Sequence, residues 1–230
     1  MCGIIGYFGD EPFSSPKHVL DSIHHRGPDA QSFHTVTLDS GTLFLGHTRL
    51  SIVELSDAGA QPMVSQDGRW VLTYNGEIYN HEELRHGLSV SYAGRSDTES
   101  LIESIARRGL HETLSLIDGM VAFAVYDRQE RKLYLYRDAF GIKPLYFIDD
   151  ESGFRFSSEI RGLSAMGADL LIDPQGVDSF LTLRYSPSPQ TLLTGVQRLP
   201  PGHLLTKDLM TGETQLTPLI SSPPVDQNWH

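Results

Sequence analysis

The strongest constraint on the fold is an uninterrupted apolar stretch at residues 120–126, where neither set of alternate side chains is charged. Alternate residues of a strand point to opposite faces of a sheet, so this strand must be covered on both sides. Further strands are predicted at 132–138, 144–148 and 153–157, and the short polar turn at 128–131 favours antiparallel pairing. The sequence therefore predicts an α+β protein in which antiparallel sheets stack and helices lie outside.

The remaining segments fit this plan. Residues 3–9 form a short apolar strand whose glycine spacing is not that of a dinucleotide-binding loop. The clearest helix is predicted over 97–108, where Ser96 and Glu99 have the spacing of a capping box and Gly109 ends the helix. The other predicted elements are helices at 16–25, 159–165 and 174–183, a hairpin of strands 32–38 and 42–50, and a strand at 69–74 that ends at Asn75-Gly76.

Composition excludes several classes of function. The 230 residues include 18 basic and 29 acidic side chains, for a net charge of −11, and no run of Lys or Arg occurs. This balance argues against binding to nucleic acid or to an anionic membrane, and the apolar stretch is too short to span a bilayer. No secretory signal is visible, and a single cysteine cannot form an internal disulfide. We therefore expect a cytoplasmic protein.

That cysteine is Cys2, directly after the initiator Met1. It is either a small buried hydrophobe at the start of a strand or a nucleophile. If Met1 is removed, Cys2 carries both a thiol and a free α-amine, which titrates near pH 8 and can act as a base. One residue then holds a nucleophile together with its general base.

Several motifs follow one another in a fixed order: MCGIIG at 1–6, HRGPD at 25–29, RLSIV at 49–53, YNGEIYN at 74–80, SDTE at 96–99, RDAFGIKPLY at 137–146, SEI at 158–160 and LPPGH at 199–203. Together they resemble the class II glutamine amidotransferase domain, above all the N-terminal glutaminase half of glutamine-hydrolysing asparagine synthetase. The resemblance implies a four-layer αββα sandwich of two antiparallel sheets, of the N-terminal-nucleophile hydrolase type. It runs in order from residue 1 to about 205, so the glutaminase domain is predicted over residues 1–210 and a linker or tail over residues 211–230.

The resemblance also implies the catalytic roles. Cys2 attacks the side-chain amide of glutamine, ammonia leaves, and water hydrolyses the resulting thioester. The side chain of Asn75 and the backbone N–H of Gly76 stabilise the oxyanion, and we expect Gly76 to permit close approach and a positive φ. Taken alone, Asn-Gly favours a hairpin turn, and it is the flanking Tyr74 and residues 77–80 that favour the oxyanion role.

The same family pattern implies which residues hold the substrate. Arg49 matches the group that binds the α-carboxylate, and Asp97 binds the α-ammonium with Glu77 beside it. Without the pattern, Arg49 fits a surface ion pair and Asp97 the acidic first turn of a helix. The pocket wall and its backbone contacts are assigned to Leu50, Ser51, Ile52 and Val53. We further expect Arg26 and Asp29 to order a nearby loop, and we interpret Lys143 as structural.

The resemblance extends to partners and cofactors. No pyrophosphate-binding SGGxDS loop occurs, so the ammonia must pass to a synthetase domain or subunit that this chain lacks, and ATP and Mg are expected only there. No cofactor is expected here, and the ten histidines show no zinc-ligand spacing, so no metal is predicted. Two alternatives stay open: the glutaminase half of a sugar-phosphate, purine or specialised-metabolite amidotransferase, and a non-catalytic scaffold. The sequence leaves the oligomeric state open.

Overall fold

The structure is a computed structural model that describes residues 1–10 and 15–219. The described strands are β1 Gly3–Gly9, β2 Ala30–Leu38, β3 Gly41–Arg49, β4 Met63–Val64, β5 Trp70–Ile78, β6 Gly119–Asp127, β7 Lys132–Arg137, β8 Tyr146–Asp150, β9 Gly153–Ser157, β10 Gln197–Arg198, β11 His203–Asp208 and β12 Thr214–Pro218. The helices are α1 Pro16–Asp21, α2 His81–Arg85, α3 Asp97–Arg108, α4 Leu110–Leu116, α5 Ile160–Ala165 and α6 Pro174–Leu183. None of the helices in this part of the chain is long and apolar enough to cross a membrane.

The strands form two sheets. Sheet I has the order β10-β8-β9-β1-β3-β2, and sheet II has the order β12-β11-β7-β6-β5-β4. Every pair of neighbouring strands in both sheets is antiparallel. The prediction of an α+β fold with antiparallel pairing is confirmed.

Three apolar cores hold the layers together. The central core lies between the sheets, where Ile4 and Leu45 of sheet I meet Ala124 of sheet II. On the outer face of sheet I, Ile5 packs with Leu20 of α1 and with the side chains of α5. On the outer face of sheet II, strands β5 and β6 pack against apolar side chains of α2, α3 and α4. Helices therefore cover both outer faces, which confirms the predicted αββα layering.

Strand β6 contains the apolar stretch at 120–126 and is buried on both faces, as the sequence predicted. Ala122 and Ala124 face the other sheet, whereas Val121, Phe123 and Val125 face the helices, and all five are fully buried. A strand in the middle of a sheet that is covered on both sides needs apolar residues at successive positions.

The start of α3 differs from the predicted capping box. The Ser96 hydroxyl accepts the N–H of Glu99 at 3.2 Å, as expected of an N-cap. The Glu99 carboxylate does not complete the box at Ser96, and instead accepts the N–H groups of Ala93 and Gly94 at 2.8 and 2.9 Å. It thereby fixes the loop before the helix. Gly109 ends the helix with φ of 89°, as predicted.

Other corrections concern element bounds. The helix expected at 16–25 is α1 followed by a 3-10 turn at His24–Arg26. The strand expected at 69–74 is β5, which continues through Asn75 and Gly76 to Ile78. Within the segment expected to be a linker or tail, β12 extends sheet II by pairing with β11. Residues 220–230 lie outside the described residues, and the division of the chain near residue 210 stays a prediction.

Candidate active site

A cavity of about 250 Å³ lies where the ends of the two sheets meet. Its size suits a small metabolite better than a macromolecule. Every residue that the sequence analysis assigned to the site lines it: Cys2, Arg49, Leu50, Ser51, Ile52, Val53, Asn75, Gly76, Glu77 and Asp97. The fold therefore brings together segments that are far apart in the sequence, while the individual roles of these residues stay predictions.

Cys2 enters the cavity from sheet I, immediately before β1. Its sulfur lies 3.5 Å from the backbone N of Leu50, which donates to it, and its carbonyl accepts from Arg26 Nε at 2.9 Å. Arg26 also donates to Glu159 at 3.0 Å. The sulfur and the carbonyl of Cys2 are thus each held by a hydrogen bond.

Burial raises the pKa of the Cys2 thiol above its ordinary value, and the N–H of Leu50 opposes this only partly. The thiol is therefore protonated at neutral pH. Because the thiolate is the reactive form, a base must remove the proton before the sulfur can attack.

Asn75 and Gly76 reach the cavity from sheet II, within a strand and not in a turn. The N–H of Tyr79 donates to the carbonyl of Asp118 at 2.8 Å, and β5 and β6 stay in register from there back along β5. Backbone hydrogen bonds alternate along an antiparallel pair, so every second residue of β5, counted back from Tyr79, bonds to β6. The residues between them point their N–H groups away from β6. The hairpin-turn interpretation of Asn-Gly is therefore wrong.

The N–H groups on this outer edge of β5 have different partners. Tyr74 donates to Gln61 Oε1 at 2.6 Å, and Ile78 donates to Asp97 Oδ2 at 3.1 Å. Gly76 lies midway between them, beyond the point where β4 pairs with Leu72. Its N–H consequently faces the cavity.

The side chain of Asn75 projects from β5 toward sheet I. Thr73, two residues earlier on the same face, donates to the carbonyl of Gly46 on β3 at 3.1 Å. Asn75 is 1% exposed, and its Nδ2 has no hydrogen-bond partner within residues 1–10 and 15–219. A buried amide donor without a partner is costly, and it is available to an oxyanion.

Glycine is required at position 76 because a neighbouring backbone atom leaves no room for a side chain, and not because of its backbone dihedral angles. A Cβ at this position would lie 2.5 Å from the carbonyl oxygen of Met120, which no side chain can tolerate. Gly76 is not among the glycines with positive φ, so that part of the prediction is wrong. The strand conformation together with the close neighbour explains the glycine.

Asp97 is the first residue of α3, and its carboxylate is held by three donors. Oδ2 accepts the hydroxyl of Tyr74 at 2.7 Å and the N–H of Ile78, and Oδ1 accepts the N–H of Thr98 at 2.9 Å. Burial, reinforced by the negative charge of Asp97, raises the pKa of Tyr74 well above its ordinary value. Tyr74 therefore stays a donor, and the orientation of Asp97 is fixed.

Arg49 lies at the end of β3 and is held by the loop that follows. Its guanidinium donates to the carbonyl of Ser56 at 3.0 Å and to the carbonyl of Glu54. The Glu54 carboxylate in turn accepts the N–H of Arg95 at 3.0 Å, which ties this loop to the segment before α3. Ile52 and Val53, at the loop's tip, are 69% and 46% exposed.

The structure also shows site residues that the sequence analysis missed. Gln61, buried behind Tyr74, and Glu54 both line the cavity, although no sequence motif indicated them. The buried Lys143 lines it too, with its ammonium 3.6 Å from Met1 Sδ, which the interpretation as structural did not anticipate. By contrast, the expected ordering role of Asp29 is confirmed, because its Oδ2 accepts the N–H of Ser51 at 2.7 Å.

Comparisons with known proteins find related sequences over most of the chain. A profile of the glutamine amidotransferase domain matches residues 1–217. Asparagine synthetase [glutamine-hydrolyzing] 1 of Bacillus subtilis (strain 168) is 34% identical over 217 residues, which cover 90% of this chain and 33% of that protein. A putative asparagine synthetase [glutamine-hydrolyzing] 2 of Methanocaldococcus jannaschii is 31% identical over 229 residues, covering 91% and 44%. The chain thus spans less than half the length of these relatives.

Solved structures share the fold. Glutamine phosphoribosylpyrophosphate amidotransferase from B. subtilis, complexed with ADP and GMP, superposes with a TM-score of 0.68 at 20% identity. The match covers 96% of this chain and 50% of that one.

Proposed function

Because this chain belongs to the glutamine amidotransferase domain family, we propose that it hydrolyses L-glutamine to L-glutamate and ammonia through a thioester on Cys2. The observation that carries this proposal is that free hydrogen-bond donors and the Cys2 sulfur line one cavity. The unpartnered Asn75 amide and the outward N–H of Gly76 line the same cavity as the Cys2 sulfur. A hydrolytic site for an amide requires such donors where negative charge develops.

The proposed reaction begins with removal of Met1, which leaves the α-amine of Cys2 free. The amine takes the thiol proton, and the sulfur attacks the side-chain carbonyl carbon of glutamine. Asn75 Nδ2–H and Gly76 N–H stabilise the oxyanion of the tetrahedral intermediate. The α-ammonium returns its proton to the leaving nitrogen, ammonia departs, and a γ-glutamyl thioester remains. Water then attacks that carbonyl with the same amine as base, which releases glutamate.

The remaining cavity residues suit the two ends of a free amino acid. Asp97 uses its lone pairs on three donors and has capacity left for the α-ammonium, with Glu77 on the same wall. Arg49 offers a planar fork that matches the α-carboxylate, and its bonds to two loop carbonyls leave N–H groups for the substrate. Leu50 and Ser51 continue the wall beside Cys2.

We further propose that the ammonia supplies ATP-dependent asparagine synthesis in a synthetase domain or subunit outside this chain, where ATP and Mg bind. Relatives named asparagine synthetase support this acceptor, and this chain corresponds to only about a third of the B. subtilis protein. The acceptor is tested with amide-¹⁵N glutamine, aspartate, ATP and Mg²⁺ in the complete native protein or with its native synthetase partner. Asparagine that carries ¹⁵N supports the proposal. Label that appears only in free ammonia, or in another amide, contradicts it.

The glutaminase itself is tested by labelling with 6-diazo-5-oxo-norleucine, a glutamine-like alkylator. Peptide mass spectrometry is expected to place one adduct on Cys2, glutamine is expected to protect it, and the intact mass is expected to lack Met1. A Cys2→Ser variant is the matched control and is expected to take no adduct at that position. An unmodified Cys2 in protein with no glutaminase activity supports the scaffold alternative, and a retained Met1 in active protein excludes the α-amine as the base.

A further inference from the structure

The edge of β5 beside the cavity is stabilised by side chains instead of a strand. Strand β4 pairs only with Val71 and Leu72, and within the described chain no strand continues along β5 beyond them. Even so, both backbone polar groups of Tyr74 are satisfied. Its N–H donates to Gln61 Oε1 at 2.6 Å, and its carbonyl accepts from His47 Nε2 at 3.2 Å.

Gln61 connects this edge to the helix that carries Asp97. Its Nε2 donates to the hydroxyl of Thr98 at 3.2 Å, while its Oε1 is bonded to the strand. Gln61 is 5% exposed, and Tyr74 and Thr98 are buried as well. One amide side chain therefore fixes the distance between the strand that carries Asn75 and the first turn of α3.

We propose that Gln61, together with His47, is a positioning residue that sets the oxyanion donors, an inference that rests on the proposed function. The carbonyl of Tyr74 and the N–H of Asn75 belong to the same planar peptide, so His47 fixes the orientation of that plane. Gln61 holds the preceding peptide through the N–H of Tyr74. With both peptides fixed, the Asn75 side chain and the Gly76 N–H leave the strand in one defined direction.

The precision of this arrangement matters for the reaction. Oxyanion donors act at about 2.7–3.1 Å from the developing charge, and a displacement of about 1 Å can cost about a hundredfold in rate. If Gln61 were apolar, the N–H of Tyr74 would be buried without a partner, and the strand would move to regain one. Arg49 is held by its own loop, and the Asp97 carboxylate keeps its three direct donors when Gln61 is replaced, so glutamine loses no direct contact. The rate of the chemical step is therefore expected to fall much more than the affinity for glutamine.

The test compares Gln61→Met with the wild type and with Gln31→Met, the same substitution at a glutamine on β2 away from the cavity. Glutaminase activity is normalised to active sites counted by labelling with 6-diazo-5-oxo-norleucine. For Gln61→Met, kcat is expected to fall about ten- to a hundredfold, with KM for glutamine within about threefold. Inhibition by L-glutamate γ-semialdehyde, whose adduct with the thiol places an oxygen among the oxyanion donors, is expected to weaken by a similar factor. Inhibition by the product L-glutamate is expected to stay within threefold.

Two further variants separate positioning from folding. His47→Gln, which keeps an N–H donor at a similar reach, is expected to retain more of kcat than His47→Met. Thr98→Val removes only the hydroxyl that holds Gln61, so it is expected to lower kcat in the same way but by a smaller factor. It tests the inference even if Gln61→Met does not fold. A lower melting temperature with unchanged kcat per labelled site in these variants would overturn the inference. A wild type without glutaminase activity would instead refute the proposed function.

Discussion

The two sides of the cavity hold their polar groups in opposite ways. On the strand side, formed by residues 74–78 and Asp97, side chains from other segments fix the backbone polar groups of Tyr74 and the N–H of Ile78. On the loop side, formed by residues 49–56, Arg49 donates to two carbonyls of its own loop, and Ile52 and Val53 are exposed. The strand side is therefore organised by contacts between layers before a ligand arrives, whereas Arg49 on the loop side depends on contacts within a partly exposed loop.

This difference matches the needs of an amide hydrolase. Donors that stabilise a transition state are most effective when they do not reorganise during the reaction. The Arg49 guanidinium has five N–H groups and uses two of them on the Glu54 and Ser56 carbonyls, so its other N–H groups are available to bind a carboxylate.

The largest effect is expected on the strand side, from Asn75→Ala. Removal of one oxyanion donor typically lowers kcat by two to three powers of ten, or about 3 kcal/mol of transition-state stabilisation. Since Asn75 Nδ2 has no partner in the described part of the free protein, the affinity for glutamine is expected to change little. Steady-state kinetics measure both quantities.

The control for this prediction is Asn80→Ala, five residues further along the chain. Asn80 donates to the carbonyl of Leu116 at 2.8 Å and accepts the N–H of Asp118 at 3.0 Å, so its amide is already occupied. It is expected to lower the melting temperature while kcat stays unchanged. Normal turnover of Asn75→Ala would remove Asn75 from the oxyanion role and with it the functional contrast between the two sides.

On the loop side, Arg49→Lys is expected to raise KM about ten- to a hundredfold with a smaller change in kcat. Lysine keeps the charge, but it loses the planar fork that bonds both carboxylate oxygens. Hydrogen bonds to charged groups are worth about 1.5–3 kcal/mol, which sets this range. Isothermal titration with glutamine and the Cys2→Ser variant as background measures the affinity without turnover.

Arg128→Lys is the matched control, because Arg128 also donates to a backbone carbonyl, that of Gly68 at 2.9 Å, and lies outside the cavity lining. Its KM is expected to equal that of the wild type. If Arg49→Lys changes kcat and leaves KM alone, Arg49 does not bind the carboxylate, and the loop side belongs to the catalytic machinery instead.

The sequence predicted features that depend on neighbouring residues and missed features that depend on tertiary contacts. The double-sided apolar pattern of β6 depends only on its own residues, so it indicated a covered central strand correctly. The continuation of β5 through Asn75 and Gly76 depends on pairing with β6 and on a glycine beside Met120, and both are tertiary effects. Local turn propensity therefore gave the wrong end for this strand.

For the site, motifs identified residues whose chemistry the family pattern marks, but not the groups that hold them. Gln61 is an ordinary glutamine in the sequence, and only the structure shows its bond to the N–H of Tyr74. Glu99 has the spacing of a capping box, yet its carboxylate bonds the preceding loop because that loop folds back onto the helix start. Support residues depend on long-range packing, for which a single sequence carries no local signal.

The smallest expected effect concerns His47, which links the two sheets by donating to the carbonyl of Tyr74. Burial, with a contribution from the charge of Arg49, lowers the pKa of His47 to about 3, although its hydrogen bond to Tyr74 opposes the shift. The unfolded chain binds a proton on this residue below about pH 6.5, whereas the folded protein does not until about pH 3. The stability that the neutral imidazole contributes is therefore present above pH 6.5 and is lost as the pH falls toward 3.

From pH 6 to pH 5 this one group is expected to lower the free energy of unfolding by about 1 kcal/mol, which His47→Gln is expected to abolish. Urea unfolding of the wild type and His47→Gln at both pH values gives the change in the free energy of unfolding for each protein. The difference between these two changes isolates His47, because the contributions of the carboxylates are common to both proteins and cancel. His86→Gln, at an exposed histidine, is the control and is expected to follow the wild type. Parallel pH profiles for wild type and His47→Gln would mean that His47 is protonated or solvated in the folded protein. The hydrogen bond that joins β3 to β5 would then not be the fixed contact on which the rigidity of the strand side depends.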